Sequence, residues 1–491
     1  MERLPHLRPV QSGPRACGEG SLSAVDPSEL SVSEGGAAMA SGRLKSRDLV
    51  EALIERCQAH ADLNAFVSTD WQRLRDDADA ADAGGKAGRG LGGIPLCLKD
   101  NINTAILPTS AGTGALAGWV APTAAPVAKS LFDAGALLGA TGNMHELAFG
   151  ITSNNSVTGP VRNPWNPSLI AGGSSGGVAA AVAARLMPAG IGTDTGASVR
   201  LPAALCGIVG FRPTVGRYPG EGIVPISHTR DTAGPIARNV ADARLLDSIL
   251  AGKPDSGRTA DLSGLRLGVP RHHFYDSLDA ETADNAESAL RELQAAGVTL
   301  IEADIADIAA LNDAVGFPVA LYEFMTDLPR FLEENRTGLS MQQMLDGAGS
   351  PDVKGLFASQ MGDEAMPEAA YRQAMDVDRP KLQAAYGDYF KEHDVDAIVF
   401  PTTPMPARPI GDDEDVELNG ARAPTFPTFI RNTDPGSNAA IPGISLPSGL
   451  TSGGLPLGME FDGPAGSDDR LLAIAAAIEP VFAFAGSPAC A

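Results

Sequence analysis

Two serines in glycine-rich turns and one lysine at the end of an apolar run are the side chains best suited to chemistry. Ser198 sits in G-T-D-T-G-A-S-V-R-L-P (residues 192–202), where small residues precede it and a short helical segment can follow. Such a turn can point consecutive amide N–H groups at one spot, and those of Thr195, Gly196, Ala197 and Ser198 are the candidate donors. Acyl transfer needs that arrangement, because its tetrahedral intermediate carries an oxyanion, and one preorganised donor is worth about 2.7–4 kcal/mol. Lys99 closes I-P-L-C-L-K (residues 94–99). At an ordinary pKa of about 10.4 its amine is protonated at neutral pH and cannot act as a base. Burial reverses this, since desolvation favours the uncharged amine, and a lysine tuned to about 7–8 is a usable general base. Taken singly, Lys99 reads as a solvated charge and the run around Ser198 as a structural turn.

Ser174 lies in A-G-G-S-S-G-G (residues 171–177), directly before a small-residue helix at 178–186. Three readings stand beside one another. Unpaired N–H groups at a glycine loop can hold an anion, but the Gly-Lys-Ser/Thr that completes a nucleotide loop is absent. Gly172, Ser174 and Gly176 satisfy the G-x-S-x-G of a strand-to-helix nucleophile turn. That turn wants an apolar strand before it and a late histidine, yet Asn166-Pro167-Ser168 precedes it and no histidine follows His393. The third reading is a glycine turn that permits close packing.

The elements that would position these groups alternate between strand and helix, which predicts an α/β fold. Leu49, Val50, Leu53, Ile54 and Cys57 share one helical face, with Ser46 placed to cap the helix. The glycine-rich stretch 84–93 leads into a strand over 94–98. A helix is predicted over 127–136, a strand over 137–141, and a long loop up to Pro167. Residues from about 276 to 395 are acid-rich with helical periodicity, and read as a mainly helical excursion. Strands return at 397–400, 444–446 and 457–461, and a last helix spans 469–478. Sheet strands thus come from both ends of the chain, which predicts one domain over 26–491 after a tail at 1–25.

Composition removes several classes of function. The 491 residues include 37 Lys and Arg against 60 Asp and Glu, a net charge of −23, so no basic surface for nucleic acid is expected. No apolar stretch is long and uncharged enough to span a membrane, and residues 1–20 lack the apolar segment of a secretory signal. Five cysteines without a CxxC pair suit reduced thiols and a cytoplasmic protein. Without an HExxH motif, no metal is assigned. His272-His273 and the acidic run Asp412 to Asp415 read as solvated surface.

Taken together, G-I-P-L-C-L-K-D-N (93–101), G-G-S-S-G-G (172–177) and G-T-D-T-G-A-S-V-R-L-P-A-A (192–204) resemble the amidase signature family in order and separation. The segments at 207–214, 231–235 and 438–449 also look like family landmarks. The resemblance implies a single large domain with a central mixed, twisted sheet covered by helices on both faces. It also implies a Ser-Ser-Lys triad with Ser198 as nucleophile, Ser174 as bridging serine beside a cis peptide, and Lys99 as base. Ser175, Asp194 and Arg200 become supporting residues, and Met144, Leu147, Phe149 and Ile441 candidate walls of an acyl pocket. No metal or organic cofactor is implied; the partner is a small-molecule amide, and a homodimer is compatible.

Ala197 stands where many members carry a second glycine. That variant, with G-R-Y-P (216–219) and R-N-T-D-P-G-S (431–437), is similar to the branch that hydrolyses mandelamide and indoleacetamide. The expected activity is hydrolysis of primary arylacetamides to acid and ammonia through an acyl-enzyme. Two rivals are an amidotransferase subunit of the same family, and an amidase-fold binding protein without catalysis.

Overall fold

The computed structural model describes residues 26–490, and the expected tail at 1–25 lies outside them. Eleven strands form one sheet. In spatial order they are Phe66–Thr69, Leu137–Gly142, Pro95–Lys99, Ala189–Asp194, Thr232–Ala237, Val209–Arg212, Gly443–Leu450, Pro456–Asp462, Ala397–Pro401, Arg266–Val269 and Thr299–Glu302. The strand Pro95–Lys99 runs parallel to both its neighbours, whereas the strands from Ala189–Asp194 across to Ala397–Pro401 pair antiparallel, so the sheet is mixed.

Side chains alternate between the two faces of a strand, and this alternation decides where Lys99 goes. Leu96 and Leu98 join a core built with Leu246, Leu290 and Ile474 from helices Val240–Leu250, Ala280–Ala295 and Asp468–Phe482. Cys97 joins a second core on the opposite face, with Val178 and Val182 of helix Gly176–Ala183 and Ala203 of helix Arg200–Cys206. Lys99, two residues after Cys97, therefore shares the face on which both candidate serine turns lie. All five residues of its strand are buried, as a strand sandwiched between helical layers requires.

One sequence expectation needs correction. Ser46 does not cap its helix: Lys45 holds the cap position, the Ser46 hydroxyl donates to Gly93 O at 2.7 Å, and the Asp82 carboxylate receives the free N–H groups of Ser46 and Arg47. The acid-rich stretch is largely helical, including Ile308–Glu334, yet it also supplies the sheet-edge strand Thr299–Glu302, which pairs parallel to Arg266–Val269. Among the described residues, no helix is long and apolar enough to cross a membrane.

Candidate active site

The Lys99 amine, at the end of strand Pro95–Lys99, reaches Ser174, while Ser198 lies in the turn after strand Ala189–Asp194, joined to the Ser174 turn through its backbone carbonyl and with no hydrogen bond from its hydroxyl to Ser174 Oγ. Lys99 is fully buried, and its Nζ lies 2.7 Å from Ser174 Oγ and 2.8 Å from Thr193 Oγ1, with Thr193 O at 3.4 Å. Among the described residues it makes no salt bridge. Burial pulls its pKa down to about 7, against the opposing pull of Asp194 and Asp231. Asn101 Nδ2 also donates to Thr193 Oγ1, at 3.0 Å, so this hydroxyl anchors the amine from outside the expected triad.

Ser174 follows a cis Gly173–Ser174 peptide, is fully buried, and has its carbonyl held by the His145 N–H at 3.1 Å. Its neighbour Ser175 exchanges hydrogen bonds of 3.2 Å with Thr193: the Ser175 hydroxyl donates to Thr193 O and accepts from Thr193 N. Ser175 N donates to Ser198 O at 3.2 Å, tying the two serine turns together. Ser198 differs from Lys99 and Ser174 in keeping 7% of its surface exposed. Among the described residues, none of the N–H groups of Thr195, Gly196, Ala197 and Ser198 finds a protein acceptor. Donors left unclaimed in this way are available to an oxyanion.

The turn is held from behind by buried charge. Asp194 accepts from Val199 N at 3.0 Å, from Arg200 Nε and Nη2 at 3.1 Å each, and from Arg212 Nη1 at 2.9 Å. Burial alone would raise its carboxyl, but Arg200 and Arg212 hold it well below the usual carboxylate range. Arg200, fully buried, also donates to Gly196 O at 3.0 Å, Ser437 Oγ at 2.6 Å and Glu460 Oε1 at 3.0 Å. Burial pushes the Glu460 carboxyl well above its ordinary value despite Arg200, and that of nearby Asp462 up to about 6. Removing one partner of a buried ion pair typically costs about 3–5 kcal/mol. Arg200→Met is therefore expected to lower the unfolding free energy by about that much in urea titration, and an unchanged midpoint would contradict this role.

The Amidase family profile matches residues 48–472. The chain belongs to the amidase family. It is 54% identical over 437 residues to an indoleacetamide hydrolase of Rhizobium radiobacter, covering 89% of this chain and 94% of that one. It is 43% identical over 482 residues to a mandelamide hydrolase of Pseudomonas putida, covering 94% and 93%. The solved structure of the native peptide amidase from Stenotrophomonas maltophilia superposes with a TM-score of 0.81 at 30% identity, covering 94% of this chain and 98% of that one. The protein is thus an amidase, a hydrolase of amide C–N bonds.

Within this amidase three of the expected pocket residues are neighbours, since Phe149 packs against the clusters of both Met144 and Leu147. Met144, with no exposed surface, packs with Ala148 and Ile226, and Leu147 packs with Val224, Phe324 and Leu328. Phe149 is partly exposed and meets Phe324 edge-on at 4.5 Å. Ile441 belongs to a separate core with Phe274, Phe400 and Val319, so it is not grouped with the other three. Two surface hollows, of about 350 Å³ beside Pro329–Met341 and about 220 Å³ beside Cys57–Trp71, are lined by none of Lys99, Ser174 and Ser198. Chemistry rather than concavity locates the site.

The expected solvated groups are also partly engaged. His272 is exposed, but His273 is half-buried and its ring bonds Arg431 O at 3.0 Å. Asp413 accepts from Thr152 Oγ1 at 3.0 Å and Asn154 Nδ2 at 2.6 Å. Sequence reasoning missed Thr193, Arg212, Glu460 and Asp462. Thr193 lies inside the quoted motif and Arg212 inside the segment 207–214, so both were open to discovery, whereas Glu460 and Asp462 come near Arg200 only through the fold.

Proposed function

We propose that this amidase hydrolyses primary arylacetamides through an acyl-enzyme on Ser198, with Lys99 as base and Ser174 as bridge. The observation that carries this reading is the environment of the Lys99 amine. An uncharged amine has two N–H donors and one lone pair. Thr193 Oγ1 and Thr193 O can take the two donors, and the Ser174 hydroxyl can donate to the lone pair. That assignment uses every group once and leaves no ammonium charge buried without a counter-ion, which would be expensive.

In the proposed reaction, Lys99 takes the Ser174 proton while Ser174 Oγ takes that of Ser198, and Ser198 Oγ bonds to the amide carbon. The carbonyl oxygen becomes an oxyanion facing the N–H groups of Thr195 to Ser198. The protonated lysine returns its proton through Ser174 to the amide nitrogen, the C–N bond breaks, and ammonia leaves. A water then uses the same relay to attack the ester, releasing the acid and restoring Ser198. Both proton transfers cancel over a cycle, so no metal or organic cofactor enters the balance.

The similarity to indoleacetamide and mandelamide hydrolases supports the aryl preference. A panel of aryl, aliphatic and amino-acid amides compared by kcat/KM tests it. Arylacetamides are expected to lead the panel, by at least about tenfold for one well-filled apolar group. Preference for aliphatic amides, or activity requiring tRNA and a second subunit, would contradict it. We propose a cytoplasmic location, supported by four cysteines without a disulfide among the described residues.

A further inference from the structure

Among the described residues, Phe317 is the only Phe, Tyr or Trp that is largely exposed, at 52%. It lies on helix Ile308–Glu334 and meets Phe426 of helix Thr425–Ile430, with ring centroids 6.1 Å apart and planes tilted by 41°. Phe426 is itself only partly buried, and Ile430, one helical turn later, lies on the same face. Both pack against the cluster that contains Ala197. Ile430 Cδ1 stands 2.7 Å from where a Cβ on Gly196 would lie, so this side chain covers the turn that carries the candidate oxyanion donors.

A second set of contacts fixes Phe317 to the same turn. Asp434 Oδ1 stands 2.8 Å from that Gly196 Cβ position and accepts from Arg230 Nη2 at 2.6 Å. Arg230 Nη1 donates to Gly316 O at 2.8 Å, and Gly316 is the residue before Phe317. An exposed ring is thus tethered by buried charge to the site of bond breaking.

We propose that Phe317 and Phe426 form an aromatic clamp that receives the ring of the amide substrate and sets the enzyme's preference for aryl over aliphatic acyl groups. The inference rests on the arylacetamide reading and names the residues that would carry it. Ile430 is the apolar side chain beside the oxyanion turn, so the clamp seats the start of the acyl chain against it. Phe426 lies one helical turn, about 5.4 Å, beyond. A ring one methylene from the carbonyl extends towards that pair, where edge or offset contacts with two phenyl rings are available. A short aliphatic chain ends beside Ile430 and gains nothing from the clamp.

The test compares indole-3-acetamide with propionamide for the wild type, Phe317→Ala, Phe426→Ala and Phe317→Tyr. Each alanine variant is expected to raise KM for indole-3-acetamide about tenfold, with kcat within about twofold and propionamide kinetics unchanged. Phe317→Tyr keeps the ring and is expected to restore wild-type KM. Phe317 is half in water, so its alanine variant carries the test even if Phe426→Ala is unstable. An unchanged KM for indole-3-acetamide in Phe317→Ala, or an equal loss on both amides, overturns the clamp while leaving the hydrolase reading intact. A wild type inert towards every amide overturns both.

Discussion

Replacing Ser198 by alanine is expected to lower kcat/KM for an arylacetamide by about 10⁴-fold or more while leaving the thermal midpoint unchanged. The two halves of this result have separate causes. The catalytic loss follows from the proposed nucleophilic role, since without the Ser198 oxygen no ester forms; Ser198 is also the one residue of the proposed relay that keeps any exposed surface. The preserved stability follows because Ser198 Oγ makes no hydrogen bond with another described residue, whereas its backbone carbonyl, which the substitution keeps, holds Ser175 N. Turnover measured beside a melting curve checks both halves. Full activity would remove Ser198 from the mechanism, and a collapsed melting curve would make the loss uninformative.

The second large effect concerns Lys99. Lys99→Met is expected to reduce kcat by about 10²–10⁴-fold and to abolish the acidic limb of the pH profile. The sign follows from the form that works. The base acts when uncharged, so kcat/KM of the wild type rises with pH, reaches half its plateau near the Lys99 pKa of about 7, and falls about tenfold per unit below it. An exposed lysine of pKa about 10.4 would be uncharged in roughly one molecule in 2,500 at pH 7. Asp194 and Asp231 oppose the shift, but neither touches the amine, so burial prevails. The carboxyl of Asp100 is also pushed up to about 7 by burial. Asp100→Asn separates the two groups: an acidic limb that persists in this variant belongs to Lys99, and one that disappears does not.

How far the sequence reached can be judged residue by residue. The strand leading to Lys99 was legible because a short apolar run bounded by glycine has few alternatives, and its burial between two helical layers follows from the alternation of Leu96, Cys97 and Leu98. Lys99, Ser174 and Ser198 were legible jointly, through the order of three motifs, and not singly. The cap at Ser46 was misread because the glycine loop at 84–93 brings Gly93 O within reach of its hydroxyl, a contact between distant segments. Thr299–Glu302 was hidden inside a helical pattern, since a four-residue edge strand offers too little alternation to stand out. The charge network behind the nucleophile turn was invisible beyond Asp194 and Arg200 because Arg212 reaches Asp194 from two strands away in the sheet and Glu460 reaches the helical Arg200 from a strand late in the chain. Helix Ile308–Glu334 carries Pro318 and Pro329 in its interior, which would have argued for breaks, yet packing keeps it continuous.

The rate of covalent capture by an aryl fluorophosphonate, followed against pH with the adduct mapped by peptide mass, tests the relay most directly. The account predicts a phosphonyl group on Ser198, with a capture rate that is half-maximal near pH 7 and declines below it as Lys99 gains its proton. An adduct on Ser174, or a rate on Ser198 indifferent to pH between 5 and 9, as for a hydroxyl activated by no base of pKa about 7, would contradict it.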